Sequence, residues 1–285
     1  MASIFMRFPG GCAKTLTLSY DDGVEQDARL IEIMKKNGLK GTFNLNSGAY
    51  APEGYTWPEG KVHRRMSRNA AISLYKGSGM EVAVHGLTHP FLEQLPPNLC
   101  TYEVLQDRIN LEQDYECIVR GMAYPYGTYN DDVVASLRQC GIVYARTTES
   151  TEKFRIPAEW LKLPATCHHN NPALMELARK FVEAPGRQAP MMFYLWGHSY
   201  EFESDNNWNV IEDFAEYIGN RDDIWYATNI EIYDYIHAFQ QLVFSMDGER
   251  AYNPTNTTLY FKVSGKGECR VEPGQVCIIS NLNKG

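Results

Sequence analysis

Long apolar runs are missing from this 285-residue chain. No stretch of 18 consecutive apolar residues occurs, which excludes a membrane-spanning helix. CxxC pairs are missing too, and the seven cysteines stand scattered at 12, 100, 117, 140, 167, 269 and 277. An odd, dispersed set reads as mostly free, buried thiols of a reducing compartment, although Cys269 and Cys277 can approach across a hairpin. Positive charge is in deficit, with 27 Lys and Arg against 35 Asp and Glu. The resulting net charge of −8 argues against nucleic acid or an anionic membrane as the main partner. The opening MASIFMRFPGG lacks the apolar length of a secretory signal, so the expected location is cytoplasmic. Repeats and low-complexity segments are also absent.

What the chain does have is a core. Its length suffices for one large α/β domain or two small ones, and its 44% hydrophobic content, with 18 Tyr, 12 Phe and 5 Trp, fits a sizeable core. Strand-like runs at 14–20, 41–48, 81–85, 142–146, 191–196 and 224–228 alternate with helical patterns at 24–37, 67–78, 101–118, 130–140, 172–183, 208–219 and 230–241. This alternation predicts a parallel α/β barrel, irregular because fewer than eight clear pairs are present. Beyond residue 244 the pattern changes. Residues 253–280 alternate as two or three antiparallel strands, so we divide the chain into a catalytic barrel, 1–244, and a short C-terminal β extension, 245–285, packed on it.

Four predicted strand ends carry chemistry. LTLSYDDGV stops at Asp21 and Asp22, and two adjacent carboxylates repel unless something positive sits between them. EVAVHGLTHPF sets His85 and His89 four apart, where one turn of helix would put both imidazoles on one side. With one carboxylate they form a common three-ligand set for a catalytic cation. AYPYG (123–127) is a proline-fixed loop, and in FYLWGHSYEF His198 follows a strand. Singly each of these has a bland explanation as a turn, a loop or a structural histidine. All four fall in order at the ends where α/β barrels collect their active sites.

The order DDG, H-x-x-x-H, P-Y-G, L-x-x-H resembles the polysaccharide deacetylase family with the NodB-homology domain, over about residues 14–235. The resemblance implies a distorted (β/α) barrel and metal-dependent removal of acetyl groups from sugars. It assigns Asp21 as base, Asp22, His85 and His89 as metal ligands, His198 as general acid and the Tyr126 N–H as oxyanion donor. One divalent ion is implied, Zn²⁺ or else Co²⁺, Ni²⁺ or Mn²⁺, and an acetylated carbohydrate is the implied partner. Tyr124, Pro125, Trp196 and His168 are candidate substrate contacts, with Trp57 and Tyr200 as further sugar platforms. His169 follows His168, and at most one of the two is expected to reach the site.

The chain departs from the family in several places. Ser19-Tyr20 replaces Thr-Phe, and Gly86 replaces the usual Ser or Thr, with Thr88 as a displaced substitute. Ala123 stands where an arginine normally pairs with the catalytic aspartate; Arg146, one predicted strand later, is the candidate replacement. The aspartate that usually steers the catalytic histidine is absent near 142–150, where Glu149 is the nearest candidate. Two other readings stay open: an allantoinase-like hydrolase opening a ring amide, and a sugar-binding pseudoenzyme.

Overall fold

A computed structural model describes residues 3–186 and 189–281. Residues 282–285 of the expected extension lie outside the described residues. The strands are β1 (Ile4–Arg7), β2 (Lys14–Asp21), β3 (Gly41–Leu45), β4 (Glu81–Val84), β5 (Gly121–Ala123), β6 (Tyr144–Ser150), β7 (Leu163–Ala165), β8 (Cys167–His168), β9 (Met191–Gly197) and β10 (Ile224–Tyr226). The helices are α1 (Asp27–Lys36), α2 (Arg68–Tyr75), α3 (Pro97–Tyr115), α4 (Asp131–Gln139), α5 (Leu174–Glu183), α6 (Ser199–Ser204), α7 (Asn209–Ile218) and α8 (Asn229–Gln240).

The main sheet is parallel and follows the order β7-β6-β5-β4-β3-β2-β9-β8. Strand β9 pairs with β2 from Lys14 to Tyr20, while β10 and β3 share the other side, at Lys14–Leu16 and Leu18–Asp21. The two ends of the path, β7 and β8, are separated in the chain only by Thr166. Its N–H donates to Tyr194 O (2.8 Å) and its carbonyl accepts from the Glu152 N–H (2.9 Å). One segment thus pairs with β6 on one side and β9 on the other. The sheet curls back on itself as the distorted (β/α) barrel expected from the alternation.

Every residue of β2 is buried, as befits a parallel strand covered on both faces. Its alternation sorts the two faces. Leu16, Leu18 and Tyr20 join the apolar core with Leu30, Ile31 and Met34 of α1. Thr17, Ser19 and Asp21 meet polar partners: Thr17 donates to Asn229 (2.9 Å), and Asn44 donates to Ser19 (2.8 Å) and Asp21 (2.9 Å). Glu81, half-buried nearby, accepts from the Tyr144 hydroxyl (2.6 Å), the Thr42 hydroxyl (2.8 Å) and the Ile230 N–H (2.9 Å). Burial outweighs these donors and raises its pKa to about 7.

One sequence expectation is corrected and one element is added. The first helix starts at Asp27 rather than Val24, because Val24 bridges to Arg65 and its N–H donates to the Asp27 carboxylate (3.2 Å). Helix α6 was hidden in the run after His198. Past β10 come two short strands, β11 (Val243–Phe244) and β12 (Arg250–Tyr252), and then three within 253–280, where two or three antiparallel strands are expected: β13 (Leu259–Val263), β14 (Gly267–Val271) and β15 (Val276–Ile278). They form two antiparallel sheets, β11-β12-β15 and β1-β13-β14, so the N-terminal strand supplies one edge. Cys269 and Cys277 are joined as a disulfide, whereas Cys12, Cys100, Cys117, Cys140 and Cys167 are free. Among the described residues no helix is long and apolar enough to cross a membrane.

Tyr235 of α8 ties this tail to the barrel. Its buried hydroxyl donates to Arg7 O (2.6 Å) and accepts from the Tyr260 N–H (3.0 Å). Tyr235→Phe leaves both backbone groups without that partner, and stability falls by ~1–3 kcal/mol. Urea denaturation checks this; a loss below ~0.5 kcal/mol contradicts the tie.

Candidate metal centre and catalytic cleft

The C-terminal ends of β2, β4, β5, β6 and β9 converge on a cavity of about 300 Å³ lined by Asp21, Asp22, His85, His89, Tyr126, Trp196 and His198, among others. Asp21 ends β2 inside the sheet, whereas Asp22 steps out of it with φ 83°. A non-glycine residue in that region is uncommon and marks a functional or tightly determined turn. The two carboxylates therefore point to different partners although they are neighbours in sequence.

Asp21 is buried and accepts from Asn44 (2.9 Å) and from the Arg146 guanidinium. Arg146 is only 1% exposed, lies over the Trp196 ring (4.4 Å), and stands in direct register with Ala123 on the next strand. Residues in register on adjacent parallel strands share a face. The arginine thus reaches the aspartate from one strand over, past the small Ala123 side chain. Burial alone raises the Asp21 pKa, but Arg146, with His85 and His198, holds the carboxyl below its ordinary value.

His85 and His89 do meet, with ring centroids 4.7 Å apart, but not through a helical turn. Gly86 and His89 take left-handed φ values of 76° and 61°, and the segment is a loop. Asn46 donates to the carbonyls of both His85 and Gly86, and Asp107 accepts the His85 N–H (3.1 Å). Thr88 does not take over the missing hydroxyl; it is bound to Glu103 at 2.8 and 2.9 Å.

A divalent ion fits these residues. Ligand atoms of Asp22, His85 and His89 lie within 4.8 Å of one another. His85 Nδ1 bonds to Ala123 O (2.8 Å), which makes Nδ1 the protonated nitrogen and leaves the Nε2 lone pair free. Burial lowers the pKa of both imidazoles, that of His89 to about 4, so they are neutral donors at pH 7. Asp22 is held well below the usual carboxylate range: burial opposes ionisation, but His63, His85 and Arg65 outweigh it.

His198 caps β9 with Nε2 3.7 Å from Asp21 Oδ2 and Nδ1 3.2 Å from Glu201 Oε1. Burial works against its charged form, but the Glu201 bond and Asp21 raise its pKa above the ordinary value. Glu149 is exposed and does not serve this histidine. Glu201, three residues on, also lies 3.2 Å from His168 Nε2 and 3.0 Å from His169 Nε2. His168 therefore faces Glu201 and the edge of Trp196 rather than the cavity lining, and His169 is buried on Phe202 (4.1 Å). A Cβ at position 197 would come within 2.0 Å of the His169 ring, so only glycine fits there.

Tyr126 sits on the Pro125–Gly127 turn with φ 58°, its half-exposed ring stacked on Phe91 (3.8 Å) and edge-on to His89 (4.5 Å). Tyr124 lines the cavity and donates its hydroxyl to Leu161 O (2.7 Å). Pro125 lies beneath Gly86 rather than in the lining. Tyr200 lines the cavity; Trp57 does not, and bonds to Arg65 O (3.2 Å). Sequence reasoning missed Glu201, Asn44, Asn46, Asp107, His63 and Arg65. The last two reach Asp22 from the long connection between β3 and α2, at 3.2 and 2.8 Å.

Two imidazoles and a carboxylate that could hold a cation, with a second carboxylate beside them at the C-terminal mouth of a (β/α) barrel, make a layout suited to hydrolysis. Residues 10–145, a little under half of the chain, match the family model described as polysaccharide deacetylase. The resemblance drawn from the motifs is borne out over that stretch, which is similar to polysaccharide deacetylases. Among solved structures, an inferred polysaccharide deacetylase from Mycobacterium smegmatis is 16% identical, with a TM-score of 0.59 over 84% of this chain and 96% of that one. The Xyl-CE4 domain of a multidomain xylanase from the Trinervitermes trinervoides hindgut metagenome is 12% identical, with a TM-score of 0.50 over 79% of this chain and 92% of that one. The Streptococcus pyogenes deacetylase PplD, in complex with acetate, is 22% identical with a TM-score of 0.45; the match covers 51% of this chain and 61% of that one, less than two thirds of its length. No curated protein matches significantly.

The contact between His198 and Glu201 generates a prediction that needs no substrate. Glu201→Gln removes the acceptor charge at Nδ1, so the imidazolium loses its partner and the His198 pKa falls. NMR titration of the His198 ring reads this directly. Identical titration in wild type and variant contradicts the pairing.

Proposed function

We propose that the protein is a divalent-metal-dependent deacetylase that releases acetate from an N-acetylated or O-acetylated carbohydrate. The observation that carries this reading is the separation of the two aspartates. Asp22 belongs to the ligand triad, while Asp21 stays outside it, ionised, with Oδ2 3.8 Å from His85 Nε2 and 3.7 Å from His198 Nε2.

When bound, a divalent ion polarises the acetyl carbonyl and lowers the pKa of water at the site. Asp22, His85 and His89 would hold it. Asp21 takes a proton from the attacking water, and Arg146 keeps that carboxylate oriented and charged until it does so. The Tyr126 N–H donates to the oxygen of the acetyl carbonyl as negative charge develops there. The His198 Nε2–H donates to the departing sugar nitrogen or oxygen as the acyl bond breaks, and acetate and the free sugar leave. Glu201 supports this last step by accepting from Nδ1, which favours the protonated imidazole. Trp196 and Tyr200 offer flat surfaces for the sugar beside the reacting acetyl group.

Ala123 and the missing steering aspartate are the departures that favour a pseudoenzyme, and both have a counterpart here. The charge missing at Ala123 is present on Arg146, and Glu201 stands where a steering acid is needed. Zn²⁺ is the ion we favour; the two imidazoles and one carboxylate also accept Co²⁺, Ni²⁺ or Mn²⁺.

The test is acetate release from N-acetylated oligosaccharides and acetylated xylan after chelation and addition of Zn²⁺ or Co²⁺. We expect metal-dependent release in wild type and a loss of ~10³-fold or more in Asp21→Asn with ion uptake retained, a loss in the range of other single catalytic groups. Release of ring-opened product from a cyclic ureide, with no acetate from any sugar, would move the assignment to the ring-amide reading.

A further inference from the structure

Asp22 is the ligand of the triad that already has cationic company. Arg65 Nη2 donates to Oδ1 (2.8 Å), Arg65 Nη1 donates to the Asp22 carbonyl (3.0 Å), and His63 Nε2 lies 3.2 Å from Oδ2. Both carboxylate oxygens are thus engaged by one chain segment, and Oδ1, the atom bound by Arg65, is also the one that faces His89 Nε2 (3.9 Å).

That segment is clamped rather than loosely laid across the site. Val24 and Arg65 form an antiparallel bridge, the Glu25 N–H donates to Arg64 O (2.9 Å), and the Met66 N–H donates to Gly23 O (2.9 Å). Arg64 pairs with Glu25 and Glu203, and Arg65 Nη1 reaches Asn46 Oδ1 (2.6 Å). The guanidinium, a cationic group, is held beside Asp22 by its own backbone.

The consequence concerns the opening pair of acids. Each has its own arginine, Arg146 for Asp21 and Arg65 for Asp22, so their charges are balanced before any ion arrives. We propose that Arg65, assisted by His63, weakens the hold of Asp22, His85 and His89 on a divalent cation: the cation must share oxygens already given to donors, and it must sit beside a fixed positive charge. The role rests on the metal reading above, and it separates Arg65 from an ordinary supporting hydrogen bond. A neutral support orients a ligand, and its removal typically lowers metal affinity 10–100-fold. A cationic one opposes the ion, and its removal raises the affinity.

The experiment is a titration of chelator-stripped protein with Zn²⁺ in competition with a chromophoric chelator, for wild type, Arg65→Gln, His63→Gln and His89→Ala, together with thermal unfolding of each with and without the ion. We expect Arg65→Gln to bind Zn²⁺ ~10-fold or more tightly than wild type, the scale of outer-layer effects on metal sites. We also expect its ion-free form to unfold at a lower temperature, because Asp22 has lost its partner, and its ion-induced rise in unfolding temperature to be larger. His63→Gln, at a part-exposed position, should tighten binding by a smaller factor and serves if Arg65→Gln does not fold. Equal or weaker binding in the folded variants overturns the proposal. If His89→Ala abolishes uptake while wild type and Arg65→Gln bind alike, only the role of Arg65 falls. If no form takes up Zn²⁺, the metal reading itself falls with it.

Discussion

A carboxylate with no solvent and no cation beside it would not stay ionised, and Asp21 is buried at the end of the central strand. Its contact with Arg146 is therefore the interaction on which the cleft depends. Breaking such a pair by removing one partner leaves an uncompensated buried charge, which costs ~3–5 kcal/mol. The guanidinium is itself shut in, with Trp196 across its face, so neither group can turn to water instead. Once Asp21 is fixed and charged, His198 across the cavity has a reason to be protonated, and Glu201 on its far nitrogen strengthens it.

The remaining geometry follows from the parallel sheet. Strand ends deliver Asp21, His85, the Tyr124–Gly127 turn and His198 to one mouth, Arg146 reaches Asp21 from within β6, and alternation along β2 puts Asp21 on the polar face with Ser19 and Thr17. The groups that steady these residues come from neighbours in register, the next loop or helix α3: Asn44 donates to Asp21, Asn46 donates to the His85 carbonyl, and Asp107 accepts the His85 N–H. Glu201 is a shared anchor for three imidazoles, and that explains why two histidines at 168 and 169 stand beside the site without lining its cavity.

Much of this was legible in the sequence because it is periodic or local. The β2 alternation, the helix–strand rhythm and the four motif ends could all be read directly. The family resemblance marks the arginine missing at Ala123 and Arg146 as its replacement, and the Ala123–Arg146 register is what lets that side chain reach Asp21. Glu201 was within reach, three residues after His198, but without knowledge of α6 the i,i+3 relation had no meaning. Arg65 and His63 were not legible: they sit in a long connection with no periodicity, and only the bridge to Val24 brings them to Asp22. The turn of helix imagined for His85 and His89 failed because Gly86 and His89 adopt left-handed backbone angles. The three strands of 253–280 alternate as expected, but their partner β1 comes from the other end of the chain, which no local pattern marks.

The most direct measurement of this account is the turnover number of Arg146→Ala compared with that of the double variant Arg146→Ala, Ala123→Arg, with ion content measured alongside. If the buried charge on Asp21 depends on an arginine that can come from either of two registered strands, kcat falls ~10-fold or more in the single variant with the ion retained, and the second substitution recovers a large part of it. Full activity in Arg146→Ala would contradict the central claim.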